Sequence, residues 1–182
     1  MKPWPPIALL ISLCAGAGYV GYRVGGERAE VPDPLAPIEV VGPNEHSLAY
    51  WSFSDLDGQQ RHMSEWAGEL LVVNFWATWC APCRREIPGF MAVQERLRDK
   101  PVQFIGIAFD DTDPVRAYAG ELQINYPLLI GEDDVTEYMR SLGNTIGALP
   151  FSALISKDGR VLTTHQGEWS EAAIERVIRA AL

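Results

Sequence analysis

Two kinds of apolar run divide this chain. The first is N-terminal and unbroken: no charge falls between Pro3 and Tyr22, and Ile7 to Val20 is strongly apolar. The second kind is short and recurrent. Leu70 to Trp76 and Val102 to Phe109 are nearly continuous apolar stretches, as strands covered on both faces are. Between them, from near Pro82, Ile87, Phe90, Val93 and Leu97 recur at helical spacing. Asp113-Pro114 predicts the start of a second helix, running to about Leu122. Leu128 to Ile130 reads as a short strand, and Asp134 to Leu142 as a helix closed by Gly143. Phe151 to Ser156 and Arg160 to Gln166 flank Asp158-Gly159 as a hairpin. Ser170 is placed to cap a final helix, whose Ala173, Ile174, Val177, Ile178 and Leu182 form an apolar stripe. Near the start, Ala49 to Ser54 alternates as a strand does, and Gln59 to Met63 returns across Asp57-Gly58. Ser64 to Gly68 reads as one helical turn. This order predicts an α/β fold: a central mixed sheet flanked by helices, with a β-hairpin added at its N-terminal end.

The first run lies outside that pattern. A bilayer-spanning helix needs roughly 20 apolar residues, so residues 1–24 are predicted to be a signal anchor. Tyr19 and Tyr22 suit an interfacial belt. Ala15-Gly16-Ala17 offers a signal-cleavage site, which leaves release from the membrane as the alternative. Pro32, Pro34, Pro37 and Pro43 favour an extended linker over residues 25–45. Residues 46–182 then form one domain. Both readings of the leader export that domain. The charge bias is too weak to set orientation, so an inward N-terminus is taken from the signal-like layout.

Composition narrows the function. The 182 residues are 47% hydrophobic, too many for a disordered chain. The net charge of −9 argues against a nucleic-acid binder. Three cysteines are too few for a disulfide scaffold, and one of them, Cys14, lies in the apolar leader. Seven acids against one base lie between Asp110 and Asp134. They lack a calcium-loop pattern and read as a solvated face that steers a basic partner.

The remaining two cysteines carry the chemistry. Trp79-Cys80-Ala81-Pro82-Cys83 falls where an apolar strand ends and a helix begins, and Cys-x-x-Cys there reads as a redox motif. The free N–H groups and dipole of a helix N-terminus favour a thiolate on Cys80, the species that attacks a disulfide. Cys83, one turn inside, suits the resolving role. Pro82 lacks an N–H, so its identity tunes the potential. A zinc site is the weaker alternative: no second Cys-x-x-Cys exists, and His46, His62 and His165 are isolated in sequence. A purely structural staple is also weaker, because so short a loop closes little unfolded-state entropy.

The stretch from Phe75 to Pro88, Phe-Trp-Ala-Thr-Trp-Cys-Ala-Pro-Cys-Arg-Arg-Glu-Ile-Pro, resembles the thioredoxin superfamily. More narrowly it is similar to the exported, membrane-anchored TlpA/ResA-like thiol–disulfide oxidoreductases, over about residues 46 to 182. The resemblance implies a thioredoxin-like fold and a Cys80–Cys83 dithiol/disulfide cycle, with no metal or other cofactor. It implies a cis bond at Leu149-Pro150, facing the disulfide and helping to bind substrate. Phe151 departs from the threonine common at that place, which leaves substrate shape open. Glu86 matches an acidic residue that acts as acid or base near the cysteines; physically it lies one helical turn beyond Cys83, where burial raises a carboxyl pKa. Asn74 stands where ordinary thioredoxins carry a buried aspartate. Asn cannot exchange the proton, so Glu86 is the better candidate. Trp79 is expected to form an apolar docking rim beside Pro82, and Trp76 to be core. Arg84 and Arg85 are expected on a solvated helix face. Pro88 is expected to kink the helix.

The resemblance further implies a bacterial inner-membrane protein with its domain in the periplasm, reducing disulfides of exported clients such as apocytochrome c or copper-site assembly proteins. A membrane thiol donor would supply the electrons. A net oxidant of exported dithiols, or a non-catalytic binding or chaperone module, remains open on the residues alone.

Overall fold

In the computed structural model of the chain, residues 48–131 and 133–182 are described, apart from the side chains of residues 49 and 133. The expected anchor over residues 1–24, with Cys14, and the linker over 25–45 and its continuation to residue 47 lie outside the described residues, as does His46. Among the described residues no helix is long and apolar enough to cross a membrane.

Seven strands form one sheet: β1 (Ser52–Asp55), β2 (Gln60–His62), β3 (Leu70–Trp76), β4 (Val102–Ala108), β5 (Leu128–Ile130), β6 (Phe151–Ile155) and β7 (Val161–Gln166). Their order across the sheet is β2-β1-β5-β4-β3-β6-β7. Strands β3, β4 and β5 run parallel, while β6 returns antiparallel to β3 and the N-terminal hairpin adds antiparallel to β5. Among the described residues four α-helices cover the faces: α1 (Ala81–Arg96), α2 (Thr112–Leu122), α3 (Asp133–Ser141) and α4 (Glu171–Ala181). This is the mixed, helix-flanked sheet with an N-terminal hairpin that the pattern predicts.

All seven residues of β3 are buried, and successive side chains point to opposite faces. Leu70, Val72 and Trp76 join the core under α1, α2 and α4, with Ile87, Phe90, Val115, Ile174 and Ile178. Leu71, Val73 and Phe75 join the core under α3 and the hairpin, with Trp51, Phe53, Met63, Tyr138 and Met139. Gly106 on β4 makes room for the first packing. A Cβ there would stand 2.7 Å from Leu128 Cδ2 and 3.0 Å from Trp76 Nε1.

Four local expectations are corrected. Helix α2 begins at Thr112 with Asp111 as N-cap, so Asp113 lies inside the first turn rather than capping it. Leu48–Tyr50 forms a 3-10 turn, so the first strand begins only at Ser52. Leu182 follows the last helical residue and is 45% exposed, so it is not part of the apolar stripe. Ser170 occupies the N-cap position of α4 without a side-chain capping bond; its carbonyl accepts from the Ala173 and Ile174 amides instead.

Candidate active site

The parallel register sets the end of the sheet at which the chemistry gathers. Trp76 on β3 lies beside Ala108 on β4, and Phe75 pairs with Phe151 on β6. The loops after β3 and β4 and the loop before β6 therefore open at one end. Those loops carry Trp79-Cys80, Phe109-Asp110 and Leu149-Pro150 respectively.

Cys80 is the N-cap of α1, with extended backbone, and its sulfur accepts from the Cys83 amide at 3.3 Å. Pro82 sits in the first helical turn, where a missing N–H costs no intrahelical bond. The two sulfurs form a disulfide with 5.3 Å between Cα atoms. Cys80 is 5% exposed and Cys83 fully buried. Trp79, at 66% exposed, stands over the surface next to Cys80, whereas Trp76 is buried below, 5.6 Å from the Tyr118 ring. The Leu149–Pro150 bond is cis. Asn144 shapes the approach to it: its amide donates to the Ala148 carbonyl at 2.9 Å, and its oxygen accepts from the Ala148 amide.

Glu86 is the buried acid of the site. It follows Cys83 by one turn on the buried face of α1 and is 4% exposed. Asn74 Nδ2 donates to its Oε1 at 2.8 Å, and the Trp169 amide donates to its Oε2 at 2.8 Å. Burial pushes the carboxyl up to about 7, and nearby Glu168 adds to the rise; the two hydrogen bonds pull the other way without cancelling it. A carboxyl held near neutrality can both take and give a proton at physiological pH. Helix α1 continues past it to Arg96 with Pro88 inside.

The structure brings Cys80, Cys83, Glu86, Trp79 and the cis-proline loop to one sheet end. Arg84 and Arg85 do stand on the exposed face of α1, yet neither is simply solvated. Arg84 lies over the Tyr118 ring at 5.0 Å, and Arg85 pairs with Glu168 at 2.7 Å. The exposed His62 and the half-buried His165, stacked on Trp169 at 4.6 Å, are not drawn into the site.

Three participants are absent from the sequence reading. Ser152 accepts from Asn74 Nδ2 at 3.0 Å, because the β3–β6 register sets the two residues directly opposite. Trp169 contributes only its backbone, for which no sequence signal exists. While Asp111, Asp113, Glu121 and Asp134 are exposed, Asp110 is the exception to the reading of the acidic stretch as a solvated face. One of its oxygens accepts from both the amide and the hydroxyl of Thr78, and the other from the Asp111 amide. It thereby ties the loop carrying Trp79 and Cys80 to the end of β4.

Comparison with known proteins agrees with this geometry. The Redoxin family model matches residues 43–179. A Thiol-disulfide oxidoreductase ResA of Bacillus cereus is 30% identical over 177 residues, covering 95% of this chain and 92% of that protein. One of Bacillus thuringiensis subsp. konkukian is 29% identical with the same coverage. Among solved structures, a thiol:disulfide interchange protein of the thioredoxin family from Chlorobium tepidum superposes with a TM-score of 0.64 at 29% identity, covering 72% of this chain and 92% of its own.

Proposed function

Because the chain belongs to the Redoxin family, and within it is a TlpA/ResA-like thiol–disulfide oxidoreductase of the thioredoxin superfamily, we propose that it reduces disulfides of exported client proteins through Cys80 and Cys83. One observation carries this assignment of roles. The redox pair spans a helix N-terminus, with the outer cysteine at the N-cap keeping a 5% exposure that the fully buried inner one lacks, and an acid poised near neutrality one turn further along the helix.

In the reduced protein the Cys80 thiolate attacks one sulfur of the client disulfide. A mixed disulfide forms and the other client sulfur leaves as a thiolate. The Glu86 carboxylate takes the Cys83 proton, and the new thiolate attacks the Cys80 sulfur. The Cys80–Cys83 bond closes, the second client sulfur departs, and two electrons have passed to the client. Trp79, Pro82 and the Leu149-Pro150 loop form the surface on which the client segment lies. Re-reduction falls to a membrane thiol donor. An N-terminal anchor over residues 1–24 would hold the domain on the periplasmic side of a bacterial inner membrane. No cofactor beyond the cysteine pair is needed. Apocytochrome c and copper-site assembly proteins are the proposed client classes, on family resemblance.

Reduction of insulin disulfides by the full chain tests the activity. Cys80→Ser is expected to abolish it, and unchanged turnover in that variant would refute the role. The reduction potential tests the direction. A value near thioredoxin's, about −270 mV, is expected; one near about −120 mV would make the protein an oxidant.

A further inference from the structure

Asn74 is 1% exposed and stands between Glu86 on α1 and Ser152 on β6. Its Nδ2 spends both hydrogens, one on Glu86 Oε1 at 2.8 Å and one on Ser152 Oγ at 3.0 Å. Its Oδ1 is buried and has no donor. A buried amide oxygen without a partner is costly, and native interiors rarely keep one.

The acid that Asn74 serves has two protonation states, and the hydrogen bonds around it fit only one. Glu86 Oε2 accepts from the Trp169 backbone N–H, which can never become an acceptor. An incoming proton therefore settles on Oε1, the oxygen that faces Asn74. There it meets an N–H already pointing at the same atom. A half-turn of the amide about its Cβ–Cγ bond exchanges Nδ2 for Oδ1. Oδ1 then accepts from the Glu86 hydroxyl with one lone pair and from the Ser152 hydroxyl with the other, while Nδ2 moves to the buried place that Oδ1 held, so each state leaves one end of the amide unpaired and the protonation of Glu86 decides which.

We propose that Asn74 is a positioning residue that turns its amide over when Glu86 gains a proton, so that the carboxylate and the acid each find a complementary partner at the same place. The inference rests on the reading of Glu86 as the proton carrier. An amide suits this role, since a second carboxylate here would repel Glu86 and an aliphatic side chain would partner neither state. Ser152 fits as well, because a hydroxyl donates or accepts by rotating its hydrogen. The other groups facing Glu86 leave the switch to Asn74. Tyr126 is held neutral, its phenol pushed up by burial and then by Glu86 and Tyr118. Glu168 is paired with Arg85 at 2.7 Å. Cys83 is engaged in the disulfide.

NMR of the full chain labelled at asparagine and glutamate, taken from about pH 5 to about pH 9, tests the proposal. The sequence has four asparagines, at 44, 74, 125 and 144, so the side-chain amides separate readily. Above the Glu86 midpoint, the Asn74 amide protons are expected to show contacts to Ser152. Below it those contacts are lost, with the same midpoint as the Glu86 carboxyl carbon. Glu86→Gln, whose new amide N–H donates toward Asn74, is expected to hold the turned-over pattern at every pH. A Glu86 carboxyl that titrates while the Asn74 contacts persist would overturn the amide turn and leave the proton carrier in place. A carboxyl that does not titrate in this range would overturn both.

Discussion

Strand β3 builds two unlike interiors from one run of seven residues. Toward α3 it presents Leu71, Val73 and Phe75 to an aromatic layer, in which Tyr138 lies 4.6 Å from Trp51, 5.8 Å from Phe53 and 5.5 Å from Phe75. The titratable Tyr138 there has its phenol pushed up by burial and stays neutral. Toward α1 the strand presents Val72, Asn74 and Trp76 to a layer that holds both cysteines, and Asn74 bonds Glu86 there. Both faces bury a large apolar cluster, but the one toward α1 gives up some stability to keep a carboxyl buried near its working pKa. A single strand can serve both because its side chains alternate.

Truncating the aromatic layer gives the largest expected effect on stability. Phe75→Ala should lower the unfolding free energy by about 3–5 kcal/mol, while the pH midpoint of client reduction stays where it is. Denaturant unfolding paired with a pH–rate profile reads both. A shifted midpoint would break the separation of the two faces.

Glu86→Gln should act in the opposite sense. An acid whose folded pKa lies near 7, against an ordinary 4.5, binds its proton more readily when folded. Its stabilising contribution is therefore present below about pH 4.5 and is lost as pH rises through about 7. Removing the charge should stabilise the protein at alkaline pH by roughly 3 kcal/mol and flatten the pH dependence between those limits. Unfolding midpoints at acid and alkaline pH check this; equal slopes in wild type and variant would contradict it. The same substitution should slow resolution of the mixed disulfide.

Smaller effects belong to the surface. Asp110→Ala frees the Thr78 backbone and hydroxyl, and should cost about 2 kcal/mol together with weaker client binding, seen as a raised KM. Arg96 bridges Glu171 at 2.8 Å and Glu175 at 2.6 Å between α1 and α4, but the pairs are solvated. Arg96→Ala should leave both the unfolding midpoint and the activity unchanged, which sharpens the point that the buried layers, not the surface pairs, divide the work.

What the sequence disclosed follows from the range of each interaction. The apolar runs of β3 and β4 and the helical spacing in α1 are local, and they place the sheet, the helices and the cysteine pair correctly. Glu86 is singled out by the family resemblance, and helical spacing accounts for its place one turn beyond Cys83. Ser152 could not be singled out, since its link to Asn74 depends on the antiparallel register of β3 and β6, 78 residues apart in sequence. The Trp169 contact is made by a backbone amide and leaves no mark on residue identity. Asp110 was hidden for a related reason: a run of acids looks solvated until the loop that one of them binds is brought alongside. The N-cap of α2 slipped by two residues because Asp111 and Asp113 offer the same chemistry, and only the backbone decides between them.

Partial alkylation of the reduced full chain, with peptide mapping to distinguish Cys14, Cys80 and Cys83, tests the proposed roles most directly. Within the redox pair, Cys80 modified first, with Cys83 protected until the domain unfolds, is the expected result. Cys83 reacting ahead of Cys80 would contradict the assignment of the outer, N-cap sulfur as the one that engages clients.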